Sequence, residues 1–158
     1  MEIITKARLS RMGFSGQSAS ELCGPAAIAM LLTMSGRKLD IRGIVDAMKA
    51  RHAFIPGIGT VLARVPRCFQ APLAYLPYVP TWLLVLMLRR GYGFAHSIKQ
   101  SADSSGHIVF VHRYHAGKIY YYDPNQDTDA PVVLSVREWR QLSNRRAVCM
   151  KLAEEGCQ

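Results

Sequence analysis

The 158-residue chain has no apolar run that could cross a bilayer, since the longest, Trp82 to Leu88, falls far short of the roughly 20 residues required. Its opening residues, MEIITKARLSRMGFSG, contain no apolar stretch of signal-peptide length. These two absences lead to the expectation of a chain made in the cytoplasm, with no membrane span, whose delivery into a target cell would proceed without a cleavable signal peptide. Cys23, Cys68, Cys149 and Cys157 include no CxxC pair and no metal-ligand spacing, so reduced thiols are expected rather than a disulfide framework. A zinc site forced from His112, His115 and Cys149 would lack clustered ligands, and no metal or organic cofactor is expected. The sequence also lacks a helix-turn-helix signature, a zinc finger and an RNP-like aromatic pattern, which argues against nucleic acid as a partner.

Acidic residues are scarce: 11 Asp and Glu stand against 20 Lys and Arg, a formal charge of +9. The basic residues come as pairs such as Arg89/Arg90 and Arg145/Arg146, never as a long run. Such a surface suits acidic partners, although any single pair is also explained as a solvated helix end. No linker, internal repeat or low-complexity segment divides the chain. The expectation is one domain over 1–158, with its core over about 15–152.

Residues 24–35 read as a helix buried on most sides, with Pro25 in the first turn and Gly36 ending it. Asp40 is placed to cap an amphipathic helix over 41–52, and Thr81 to cap another through Arg90. Between them the Pro-rich stretch FIPGIGTVLARVPRCFQAPLAYLPYVP reads as irregular chain with one short helix near 60–65. From residue 92 the period changes to that of strands: 92–98, 107–112, 118–123, 131–135 and 145–153, with a helical turn or two at VREWRQL. Helices first and an antiparallel sheet afterwards define an α+β fold in which the central helix packs on the sheet.

Cysteine chemistry needs a thiolate, a base, a group to orient the base, and donors for the oxyanion. Cys23 lies at the start of the buried helix, where free N–H groups and the helix dipole favour a negative charge, and Gly24 leaves room for substrate. His107 opens a strand, and Asp123 ends the next one. If those strands are joined by the five-residue loop RYHAG, residues summing to 230 pair and His107 lies opposite Asp123. A two-residue Ala116-Gly117 turn would pair Asp123 with Phe110 instead, so the longer loop is expected. Each residue alone has a structural explanation: a core cysteine, an edge histidine, a turn aspartate. Their joint order, Gln17, Cys23, His107, Asp123, each on a suitable element, is what points to catalysis.

The motifs Cys23-Gly24-Pro25-Ala26 with Gln17 six residues ahead, Gly106-His107 before an apolar strand, and Tyr122-Asp123-Pro124 resemble the papain-like cysteine peptidases, specifically the family that processes bacteriocin leaders after a Gly-Gly pair. The resemblance spans roughly residues 15–152. It implies a papain-like α+β fold, with Cys23 as nucleophile, His107 as general base and acid, and Asp123 as its orienter. Gln17 and the Cys23 N–H would form the oxyanion hole. Those relatives are usually part of a membrane transporter, whereas a compact basic domain of this type also resembles bacterial toxin or effector domains. A protein substrate and an acidic immunity or inhibitor protein would then be the partners. A glutamine deamidase using the same triad is the enzymatic alternative, and a noncatalytic basic adaptor is the alternative from another class.

Overall fold

The computed structural model describes residues 3–12, 19–38, 40–99 and 106–154. A short helix α1 (Lys6–Arg11), capped by the Thr5 side chain, precedes a 3-10 turn over Ala19–Leu22 that runs directly into α2 (Cys23–Met34). Every residue of α2 from Cys23 to Leu32 is buried. That follows from a stretch with no charged side chain to hold any face in water. In α3 (Ile41–Ala50), Asp40 accepts a hydrogen bond from the Arg42 N–H, the expected cap, while Ile44, Val45 and Met48 turn inward.

The Pro-rich stretch carries more structure than its composition suggests. β1 (Phe54–Ile55) and β2 (Gly59–Thr60) form a small hairpin, a 3-10 helix covers Leu62–Cys68, and β3 (Ala74–Leu76) joins the main sheet. The prolines lie between these elements or within the 3-10 helix, so none removes a ladder hydrogen bond from β1, β2 or β3. In α4 (Thr81–Arg89) the cap position is Pro80, not Thr81: Thr81 is the first helical residue, and no side chain caps this helix. Gly91, at φ +85, ends it in the left-handed conformation that glycine adopts without steric cost.

β4 (Tyr92–Ile98), β5 (His107–His115), β6 (Lys118–Tyr122), β7 (Val132–Ser135) and β8 (Ser143–Lys151) complete an antiparallel six-stranded sheet in the order β3-β8-β4-β5-β6-β7. Strand alternation divides the core in two. Ala95, Ile108, Phe110, Val148 and Met150 pack with α2, while Phe94, Val109, Val111, Ala147 and Cys149 pack with α4 and α5 (Val136–Leu142). With both faces covered, the middle strands read as continuous apolar runs such as Ile108 to Val111. α5 carries a reciprocal Ser135–Glu138 capping box and buries Trp139 completely.

The β5–β6 hairpin corrects the expected five-residue loop. His115 pairs with Lys118 across a two-residue turn, so Arg113, Tyr114 and His115 belong to β5. Ala116 at φ 50 and Gly117 at φ 78 are both left-handed, the combination that matches the twist of paired strands. A bulge between Val111 and Arg113 then moves the register by one, giving Phe110 opposite Tyr122.

Candidate active site

Cys23 and His107 meet because α2 begins, and β5 begins, at the same end of the core. Cys23 is 8% exposed and opens onto a cleft of about 510 Å³, whose walls include Glu21, Ile58, Thr60, Tyr75, Ser97 and Arg146. His107 is 4% exposed, and its Nε2 lies 2.5 Å from Asp123 Oδ1. The bulged register does not set these two residues opposite one another. Their contact forms because Asp123 is already past the end of β6, in the turn Asp123-Pro124-Asn125-Gln126. In that turn the Asn125 N–H donates to the same Oδ1 at 2.8 Å, and the Gln126 N–H donates to the Asp123 carbonyl at 2.9 Å. Proline in the second position presets the backbone for this shape, and the Asx contact holds the carboxylate.

The electrostatics couple all three side chains. Burial opposes a charged His107, but hydrogen bonds to Asp123 and to Cys23, together with their charges, outweigh it and raise its pKa to about 9. Burial likewise opposes a charged Asp123, yet the hydrogen bond and charge of His107, the Asn125 N–H and Lys6 hold its carboxyl below the ordinary range. Nε2 is committed to Asp123, which leaves Nδ1 outside that contact. Asn125 Nδ2 lies 3.4 Å from that Nδ1.

Gln17 lies outside the described residues, as does Cys157. Cys68 and Cys149 lie apart from the site; burial pushes both thiols up, Cys149 to about 11. Among the described residues Cys23, Cys68 and Cys149 are free, and no three His, Cys, Asp or Glu side chains come together as a metal site. His112 stacks on Tyr122 with centroids 4.8 Å apart, and His96 lies edge-on to Trp139 at 4.8 Å. Both histidines are held neutral by burial, with pKa values lowered to about 4. No described helix is long and apolar enough to cross a membrane.

Sequence reasoning missed two residues at the site. Asn125 had a readable signal, since an Asp-Pro-Asn run is a turn whose third residue returns to the aspartate. Thr60 had none. A Cβ placed on Gly24 would lie 1.7 Å from Thr60 Oγ1, so the space that glycine leaves is filled by the chain's own hairpin rather than kept for substrate.

The Peptidase_C39 like family model matches residues 10–147. Among solved structures, the peptidase domain of Streptococcus ComA, a bi-functional ABC transporter involved in a quorum sensing pathway, aligns with a TM-score of 0.61 at 14% identity, covering 85% of this chain and 95% of that one. A putative C39-like peptidase from Bacillus anthracis aligns with a TM-score of 0.59 at 12% identity, covering 85% and 90%. A double glycine motif protease from an AMS/PCAT transporter, solved with its leader peptide, aligns with a TM-score of 0.55 at 16% identity, covering 80% and 81%. No curated protein matches the chain. At these identities the structures speak for a shared papain-like fold, while the family match takes in α2, β5 and the Asp123 turn together: the chain belongs to the Peptidase_C39 like family and is a cysteine peptidase.

Proposed function

We propose that the chain hydrolyses a peptide bond following a Gly-Gly pair, with Cys23 as nucleophile, His107 as general base and acid, and Asp123 as the group that orients His107. The observation that carries this reading is the Asp123–His107 hydrogen bond of 2.5 Å, on a histidine that also hydrogen-bonds Cys23 at the edge of an open cleft. The Cys23 sulfur attacks the carbonyl carbon, His107 Nδ1–H protonates the leaving amine, and the C–N bond breaks to leave a thioester. Neutral His107 then takes a proton from water, whose oxygen attacks the thioester and releases the acid. The backbone N–H of Cys23 and, from the sequence, Gln17 are the proposed oxyanion donors.

Glycine next to the scissile bond suits a cleft whose walls are formed in part by the backbone of Gly57, Gly59 and Gly106, with Thr60 seated on Gly24 beside the sulfur. The similar double glycine motif protease, solved with a leader peptide, supports the same choice. The test is mass spectrometry of Gly-Gly peptides incubated with parent and Cys23→Ala chains. Cleavage after Gly-Gly by the parent alone is expected. An uncut peptide heavier by about one dalton would mean glutamine deamidation by the same thioester route and refute peptidase specificity. Turnover by Cys23→Ala would refute the nucleophile.

The net charge of +9 and Arg146 on the cleft wall favour an acidic protein partner of the immunity or inhibitor kind, as a bacterial toxin domain would need. Expression of the parent, but not of Cys23→Ala, should then arrest a bacterium lacking that partner. Equal growth of the two strains would refute the toxin role.

A further inference from the structure

His107 has two ring nitrogens, and the proposed reaction assigns only one partner to each. Nε2 meets Asp123, and Nδ1 serves Cys23. Yet Nδ1 has a second neighbour, the side-chain amide of Asn125 at 3.4 Å. Asn125 is also tied to the other end of the pair, because its backbone N–H donates to the Asp123 oxygen that holds His107. The remaining amide atom, Asn125 Oδ1, is buried and has no hydrogen-bond partner among the described residues. A buried carbonyl oxygen without a partner is costly, and beside a histidine it calls for an explanation.

The donor and acceptor inventory separates those states. When Nδ1 has lost its proton it is an acceptor, and Asn125 Nδ2–H can donate to it, the arrangement present at 3.4 Å. When Nδ1 is protonated it is a donor, and an amide N–H facing it is a donor opposite a donor. Rotation of the amide by half a turn replaces that clash with an N–H···O bond from Nδ1 to Oδ1. One side chain can therefore satisfy both protonation states, which neither an aliphatic nor a purely accepting residue can do.

We propose that Asn125 is a positioning residue for His107: its amide meets Nδ1, fixes the ring plane toward Cys23, and reverses as the proton leaves Nδ1 for the departing amine. The step balances. The Nδ1–H bond breaks, its proton forms the new N–H of the amine as the C–N bond breaks, and the positive charge on the ring is lost, so the partner of Nδ1 must change from acceptor to donor. The raised pKa of His107, about 9, makes imidazolium the form at neutral pH, in which Nδ1 needs the amide turned to present Oδ1, the reverse of the orientation present.

This inference rests on the proposed Cys23–His107 pairing, and its test reads the two separately. Cys23 alkylation by iodoacetamide, located by peptide mapping and followed from pH 5 to 10, reports the thiolate without any substrate. In the parent, Cys23 is expected to react faster than Cys68 at pH 6; equal rates would refute the pairing itself. In Asn125→Leu, of similar size with no polar atoms, the imidazolium loses its acceptor. The rate at pH 6 should fall about tenfold, with the rate at pH 10 unchanged. Asn125→Gln, which keeps both amide ends, should recover part of that loss. Every non-proline variant retains the backbone N–H on Asp123, so the turn persists, and NMR titration of His107 in each folded variant gives a second reading. An Asn125→Leu profile superimposable on a parent that does show fast Cys23 overturns the inference and leaves the proposed function standing.

Discussion

Gly24→Ala is the substitution whose consequence the structure fixes most closely. A Cβ at this position would lie 1.7 Å from Thr60 Oγ1 and 2.4 Å from Thr60 Cβ. Rotation about χ1 can carry the hydroxyl away but leaves Thr60 Cβ where it is. Relief therefore requires β2 itself to move by roughly 1–1.5 Å, to restore a carbon–carbon separation of about 3.5–4.0 Å. Overpacking of this kind costs about 1–3 kcal/mol. Replacing glycine inside a helix returns at most about 1 kcal/mol. With the full helix gain the net loss is up to about 2 kcal/mol, which corresponds to a Tm lower by up to roughly 8 °C in a chain of this size. Because Thr60 walls the cleft beside Cys23, activity should suffer more than stability: a displacement near 1 Å can cost up to about 100-fold, and a loss of tenfold or more in kcat/KM on a Gly-Gly peptide is expected. Thermal melts and initial rates measure both. The double variant Gly24→Ala/Thr60→Gly should recover, whereas Gly24→Ala/Thr60→Ala should not, because alanine keeps the offending Cβ. Parent-like melts and rates for Gly24→Ala, or equal rescue by both Thr60 variants, would refute the argument.

Asp123→Asn removes the charge that supports His107, so the alkaline limb of peptide cleavage should move from about 9 toward the ordinary histidine value of 6.5, with kcat/KM at pH 8 down at least tenfold; an unmoved limb would count against the pairing. Stability should peak near neutrality. The raised pKa of His107 contributes stability that is fully present below 6.5 and lost as pH rises through about 9. His96 and His112, lowered to about 4, act oppositely: the unfolded chain binds protons first, so their contribution is present above 6.5 and lost as pH falls toward 4. Melts at pH 4.5, 7 and 10 test both limbs; His112→Phe, which keeps an aromatic ring against Tyr122, should flatten the acid one, and an unchanged acid limb would remove His112 from it. Ala116→Asn places a residue that tolerates φ 50 in the hairpin turn and should raise stability by roughly 0.5–1 kcal/mol in a denaturant titration; a loss would contradict the left-handed assignment.

Much of this architecture was readable because the chain states it locally. α2 follows from an uncharged stretch between Pro25 and Gly36, α3 from the Asp40 cap and a 3.6-residue period, and β4 to β8 from apolar or alternating runs separated by turn residues. β1 to β3 were not readable. Two- and three-residue strands carry no period, and β3 is a strand only because β8 lies beside it. The hairpin loop was misplaced for a related reason: RYHAG holds two left-handed positions at Ala116-Gly117, but the compensating bulge near His112 comes from pairing with β6, not from any local signal.

For the site, the sequence by itself determined the residue types and the elements that carry them: a cysteine opening a buried helix, a histidine opening a strand, and an aspartate before proline at the end of the next strand. Only the tertiary structure decided how they meet. His107 reaches Asp123 although the register does not place them opposite each other, because the Asp123-Pro124-Asn125 turn returns the carboxylate to the ring and brings the Asn125 amide with it. Gly24 serves Thr60, from a hairpin 36 positions along the chain, rather than an incoming substrate. Capping and periodicity act over a few residues and are therefore written in sequence. Hydrogen-bond partners and steric neighbours across a cleft are fixed by long-range packing, which one-dimensional order does not encode.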